Sequence, residues 1–247
     1  MQTISDRLLG QSLSFATRFM NGVNRYNPAS EESEIVLTVA GEPYLEPYLQ
    51  AARKFGSGFQ SLLWASPRTQ RARFEAITQM YDPTGKRLLD AGCGRADYLA
   101  YLIETGIFPA SYVGIEGVED LAAAAEAKGL PDATIVRADF VREPVRLFVS
   151  ADVVAFSGSL NTLRDEEFYS TIRLAYDAAG EALAFNFLCS DFLAGREYLF
   201  WRRREDVLKF AGDFCADVRI KDDYLRGDCT ACLLKPGDGR DREDVHA

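Results

Sequence analysis

The 247-residue chain is 47% hydrophobic, 12% aromatic and 26% charged, an ordinary globular balance with material for one sizeable core. Its 28 basic and 37 acidic residues leave a net charge of −9, which repels phosphodiester backbones, so nucleic acid is not an expected partner. No run approaches the roughly 18 apolar residues of a membrane span, the start Met1-Gln2-Thr3-Ile4-Ser5-Asp6-Arg7 lacks a secretory pattern, and five scattered cysteines suit reduced thiols. The expected setting is cytoplasmic, away from membranes.

Residues 1–80 carry no long β-branched run and read as helices with breaks. Leu8, Leu9, Leu13, Phe15 and Phe19 give a loosely helical apolar pattern, and Asn27-Pro28 marks a turn. Glu42-Pro43 opens a second helical stretch with Leu45, Leu49 and Ala52, interrupted at Gly56-Ser57-Gly58. Phe74, Ile77 and Met80 then recur at helical spacing. This region is expected to form a helical cap or lid.

From Lys86 the grammar changes. Short apolar runs at 87–91, 112–115, 133–136, 151–156 and 182–187 read as strands, with helices at 120–128, 165–179 and around 205–212 between or after them. Such alternation predicts a parallel sheet covered by helices on both faces. Two more strands, 217–221 and 230–235, are linked through Arg226-Gly227, a connection short enough only for an antiparallel hairpin. The sheet domain is placed at 81–236, and 237–247 reads as a charged, flexible tail.

The strongest chemical signal is Asp90-Ala91-Gly92-Cys93-Gly94 at the end of the first strand. Glycines there let the backbone approach a ligand, and the next helix presents free N–H groups. A plain tight turn is the simpler reading of Gly92 and Gly94, with Cys93 a small filler. The third glycine of a dinucleotide fingerprint would fall at Asp97, so NAD is not specified. Glu116-Gly117 ends the second strand, where a carboxylate can accept both ribose hydroxyls. Asp139-Phe140 follows the third, where a carboxylate can receive an exocyclic amine and a ring can stack on a base. A cation, a ribose and an adenine in this order describe S-adenosylmethionine.

In these residues the chain resembles the class I methyltransferases, whose first motif is an acidic residue followed by G-x-G. The resemblance implies an α/β, Rossmann-like seven-stranded sheet of order 3-2-1-4-5-7-6 and S-adenosylmethionine as cofactor. Further patterns resemble a bacterial, small-molecule-type group of these enzymes: Gln70 with Arg73-Phe74, Ser157-Gly158 with Asn161, 184–188, and Asp223-Tyr224-Leu225 with Asp228 and Thr230. Arg95-Ala96 and Arg203-Arg204 depart from that group's pattern. The implied cofactor residues are Arg73, Asp90, Gly92, Cys93, Gly94, Glu116, Gly117, Asp139, Phe140 and Ser157. Arg73 suits a carboxylate, which an arginine clamps bidentately; a helix-surface salt bridge is its alternative.

In that topology Asn161, Asn186, Asp223, Tyr224 and Asp228 converge on the active face, and Asn161, Tyr224 and Asp223 are the candidates for the acceptor side. Asn161 and Asn186 equally suit helix caps or loop hydrogen bonds. No metal is expected: the sole histidine, His246, lies in the tail, and Cys229 and Cys232 lie three apart on a strand, pointing to opposite faces. Arg202-Arg203-Arg204 opposes a helix dipole, and either pairs with Glu205 and Asp206 or meets an anionic group. The expected activity is methyl transfer to N, O or S of a small molecule. A protein or tRNA methyltransferase, an aminopropyl transferase and a non-catalytic S-adenosylmethionine-binding module are the alternatives.

Overall fold

A computed structural model of the protein describes residues 42–236. The first part of the expected cap, 1–41, and the tail, 237–247, lie outside the described residues. Helix α1 (Glu46–Phe55) starts with Glu46 and Pro47 and ends on Arg53 and Lys54, a charge order that complements its dipole. It stops at Gly56, whose φ of 59° a side chain would resist. A 3-10 turn (Phe59–Leu62) follows, then α2 (Pro67–Met80). Ser66 caps α2 by accepting the Thr69 N–H while the Thr69 hydroxyl accepts the Ser66 N–H, and Pro67 fits the first turn.

The sheet domain runs β1 (Arg87–Ala91), α3 (Asp97–Glu104), β2 (Ser111–Glu116), α4 (Glu119–Ala127), β3 (Ala133–Arg137), β4 (Val153–Phe156), α5 (Asp165–Ala178), β5 (Ala182–Leu188), α6 (Arg204–Gly212), β6 (Asp217–Lys221) and β7 (Asp228–Leu234). The strand order is β3-β2-β1-β4-β5-β7-β6, with β1 to β5 parallel and β7 antiparallel to both its neighbours. The expected topology is therefore observed. Strand β5 is buried at every position, as a strand covered on both faces must be, whereas the edge strand β3 is not.

Side-chain alternation divides the core in two. Leu183, Phe185 and Phe187 of β5 join Cys229, Ala231 and Leu233 of β7 on the face covered by α5 and α6. Ala182, Ala184 and Cys232 face the other way, toward Phe74 and Ile77 of α2 and Tyr98, Leu99 and Leu102 of α3. Cys229 and Cys232 thus lie on opposite faces. Each fully buried leucine or phenylalanine contributes about 1.5–3 kcal/mol.

Most ends fall within one residue of the sequence reading, and two strand starts differ by two. Strand β4 begins at Val153, not Ala151, and β7 begins two residues before Thr230, because Asp228 pairs across the sheet with Leu188. That extension buries Asp228 completely at the carboxyl edge of the parallel strands. No helix among the described residues is long and apolar enough to cross a membrane.

Candidate functional site

A cavity of about 1310 Å³, counted out to its mouth, opens over the carboxyl ends of β1 to β5. One half sits on β1, β2 and β3. Here the turn after β1 is fixed from two sides: the Gly92 and Cys93 N–H groups donate to the Ile115 carbonyl at 2.8 and 3.0 Å, and the Ser159 hydroxyl donates to the Ala91 carbonyl at 2.7 Å. Gly92 has φ +77°, and a Cβ there would stand 2.3 Å from that of Ser159. Only glycine fits.

Three carboxylates mark the ends of the three strands. Asp90 is 2% exposed and accepts the Tyr112 hydroxyl on Oδ2 at 2.7 Å. Its Oδ1 has no hydrogen-bond partner among the described residues. Burial pushes its carboxyl up to about 7, against the Tyr112 hydrogen bond, with Glu116 and Asp97 adding repulsion. Glu116 accepts the Gly94 and Val118 N–H groups at 2.8 Å each. Burial raises its carboxyl too, opposed by the N–H groups of Val118, Gly94 and Gly117. Asp139 accepts the Tyr44 hydroxyl at 2.7 Å and the Val141 N–H at 2.9 Å, and Phe140 packs edge-on to Phe156. Asp97, where a third glycine would stand, opens α3 as a hub: it pairs with Arg95 at 3.0 Å and with Lys128, and accepts from Gln70 at 3.2 Å.

The other half sits on β4, β5 and the β6–β7 hairpin. Asn161 is buried and lines it; its Oδ1 accepts the Leu188 N–H at 3.2 Å, and its carbonyl accepts the Phe200 N–H at 2.8 Å. Ser157 lines it as well and donates to Asn186 at 3.2 Å. Behind this wall the polar groups run in a chain. The Asn186 amide donates to Thr230 at 2.6 Å, Thr230 donates to the Tyr224 hydroxyl at 2.7 Å, and Tyr224 donates to Asp228. Asp228 in turn accepts from Nε and Nη2 of Arg73, whose guanidinium lies 4.8 Å over the Trp64 ring and whose side chain lines the cavity. Arg73 is thus a buried ion-pair partner, not a helix-surface one.

Eleven sequence candidates therefore meet at one cavity: Arg73, Asp90, Gly92, Cys93, Gly94, Glu116, Gly117, Asp139, Phe140, Ser157 and Asn161. Two of the acceptor-side candidates do not. Asp223 is exposed, with 72% of its side chain open and paired to Lys221 at 2.6 Å, and it does not line the cavity. Tyr224 stands one layer back, its hydroxyl engaged by Asp228 and Thr230. The arginine run does not form an anion site. Arg202 is buried 3.8 Å over Phe168 and donates to the Leu163 carbonyl, while Arg203 and Arg204 pair with Glu205, and Arg204 with Asp222. Among the described residues no cluster of metal-ligating side chains occurs.

Sequence reasoning missed most of the roof. Beyond Tyr44 on Asp139, Leu45 stands over Gly117, Leu62 over Gly94 and Trp64 over Gly158, so close that a Cβ on Gly94 or Gly158 would meet them at 2.8 and 2.6 Å. The paired glycines and isolated apolar residues were the available signals, but contacts so distant in sequence leave no periodicity.

No family model matches the chain, and no curated protein matches it. Solved structures do. Over 79% of this chain and all of the other, it is similar to magnesium protoporphyrin IX methyltransferase (ChlM) from Synechocystis PCC 6803 with bound SAH, at 14% identity and a TM-score of 0.60. The DhpI–SAH complex matches 79% of this chain and 96% of its own at 17% identity, TM-score 0.57. The small RNA methyltransferase HEN1 matches 70% of this chain but 26% of its own length, at 12% identity and TM-score 0.55. This is the class I methyltransferase fold. In that fold the cavity lies where ligands of open α/β sheets bind, outside the carboxyl ends of the strands.

Proposed function

We propose that the protein is an S-adenosylmethionine-dependent methyltransferase acting on a small molecule. The observation that carries this reading is the set of three carboxylates, Asp90, Glu116 and Asp139, ending successive strands around one cavity, with Oδ1 of Asp90 lacking a partner among the described residues. A buried, unpaired carboxylate oxygen costs free energy that a cationic ligand would recover. The residues fit the cofactor in order: Asp90 attracts the cationic end, Glu116 accepts the ribose hydroxyls, and Asp139 with Phe140 receives and stacks the adenine. Arg73 retains Nη1 for the cofactor's carboxylate, since among the described residues its bonds to Asp228 use only Nε and Nη2.

When bound, S-adenosylmethionine supplies an electrophilic methyl on a sulfonium that departs as a neutral thioether. The protein's part is to hold an acceptor atom roughly 3 Å from that methyl and in line with it. Ser157 and Asn161, after β4, are the lining groups placed for this. The net charge of −9 favours a small acceptor over RNA, although an RNA methyltransferase shares the fold. Calorimetry on the full chain should detect S-adenosylmethionine and S-adenosylhomocysteine and no NAD. Transfer of labelled methyl into a metabolite extract should follow. NAD binding without a response to either adenosyl ligand overturns the assignment. Cofactor binding with no transfer into any extract makes the protein a binding module instead.

A further inference from the structure

The two halves of the cavity differ chemically. Every carboxylate that lines it among the described residues, namely Asp90, Asp97, Glu116 and Asp139, belongs to the half over β1–β3. The half over β4, β5 and the hairpin is walled by Leu163, Leu188, Leu193, Leu199 and Leu225. They come from the turn after β4 (Leu163), the end of β5 (Leu188), the β5–α6 connection (Leu193 and Leu199) and the β6–β7 link (Leu225). Leucines converging from three loops and a strand end onto one concave surface form a chamber for an apolar body.

Within that chamber the polar groups are few and mostly engaged. The Ser157 hydroxyl is given to Asn186. Asn161 has its Oδ1 fixed by the Leu188 N–H, which orients the amide and leaves Nδ2 without a hydrogen-bond partner among the described residues. Nδ2 can only donate. Arg73 lines the same wall, but Asp228 meets its charge and Nη1 is left for the cofactor's carboxylate. A donor with no lining carboxylate in this half of the cavity suits a nucleophile that arrives already ionised, because no carboxylate there can take its proton.

Resting on the methyltransferase reading, we infer that the acceptor is a small molecule with an apolar body and an anionic head, a carboxylate or a thiolate. The body sits among Leu193, Leu199 and Leu225, and the head accepts from Nδ2 of Asn161. In the transfer, a lone pair of the head's oxygen or sulfur forms the bond to the methyl carbon. The carbon–sulfonium bond breaks with its electron pair left on sulfur. Products are a methyl ester or methyl thioether and S-adenosylhomocysteine, with no proton, oxidant or reductant required.

The test uses the full chain saturated with S-adenosylhomocysteine, with butanoate, hexanoate and octanoate as binding probes. Fluorescence is a suitable readout, since Trp64 lines the cavity. Each added methylene should tighten binding about three- to fourfold. The double variant Leu193→Asn, Leu199→Asn, changed at two half-buried wall positions, should weaken octanoate at least about tenfold and hold S-adenosylhomocysteine within about threefold. With S-adenosylmethionine, mass spectrometry should find methylated octanoate or methylated octane-1-thiol, which decides between the two heads. Cofactor binding without chain-length dependence, or a dependence that survives the double variant, overturns the apolar chamber. Methylation of octylamine with neither anionic probe methylated overturns the anionic head. Failure to bind S-adenosylhomocysteine at all overturns the methyltransferase reading itself, a result distinct from both.

Discussion

Asp90 gives the sharpest test, because its environment fixes both a pH dependence and its direction. Burial lifts its carboxyl from 3.8 to about 7, so near neutrality the free protein holds it about half protonated. A cationic ligand needs the ionised form. Below pH 7 the affinity for S-adenosylmethionine should therefore fall about tenfold per pH unit, levelling off above about pH 8. Binding should release close to one proton at pH 6 and about half a proton at pH 7, which calorimetry in buffers of different ionisation heat measures directly. Stability runs the other way. The folded-state value lies above the unfolded one, so Asp90's contribution is fully present below about pH 4 and lost as pH rises through about 7. The shift of roughly three units at about 1.4 kcal/mol each bounds the loss at about 4 kcal/mol. Asp90→Asn keeps an acceptor for the Tyr112 hydroxyl and cannot ionise. At pH 8 the ligand-free variant should melt higher than the parent, by at most about 8–15 °C, while its cofactor affinity drops and loses its pH dependence. A parent protein whose affinity is flat from pH 6 to 8, with no buffer-dependent heat, refutes the role given to Asp90.

Glu116→Ala should weaken S-adenosylhomocysteine by about 1.5–3 kcal/mol in a titration, since it removes a charged acceptor and also frees the Gly94 N–H that holds the turn. Arg73→Leu strands the fully buried Asp228 and should cost about 3–5 kcal/mol in urea unfolding, most of it regained in Arg73→Leu, Asp228→Asn. A double variant as unstable as the single one would show that the pair is not what Arg73 supports. Tyr224→Phe and Asn161→Ala should separate what the sequence grouped together. Tyr224→Phe takes a donor from Asp228 and should lower stability by about 1–3 kcal/mol with turnover per folded molecule kept. Asn161→Ala should lower turnover, with cofactor affinity held within about threefold. Loss of turnover in Tyr224→Phe at full stability would bring that hydroxyl into the reaction.

The parts of this molecule that were legible in its sequence are those with a period or a fixed position on a strand. The β-runs and the helices between them set the sheet, and Asp90, Glu116 and Asp139 could be placed because each closes a strand of the same parallel set. What a strand end does not reveal is how deep a side chain lies. Asp223 and Asp228 flank one hairpin and looked interchangeable; the extra pairing of Asp228 with Leu188 seals one inside, while Lys221 holds the other in solvent. Tyr224 was aimed at the right edge, yet its hydroxyl is spent on Asp228. The roof was illegible for a different reason. Leu62 and Trp64 belong to no regular face, and their partners Gly94 and Gly158 lack side chains altogether, so complementarity is written as an absence on one side of the contact. The same absence makes the site specific: where glycine has no Cβ, only a neighbour's bulk decides the cavity's shape. The roof residues Leu62 and Trp64 thus shape the cavity as surely as the three carboxylates do, though no motif contains them.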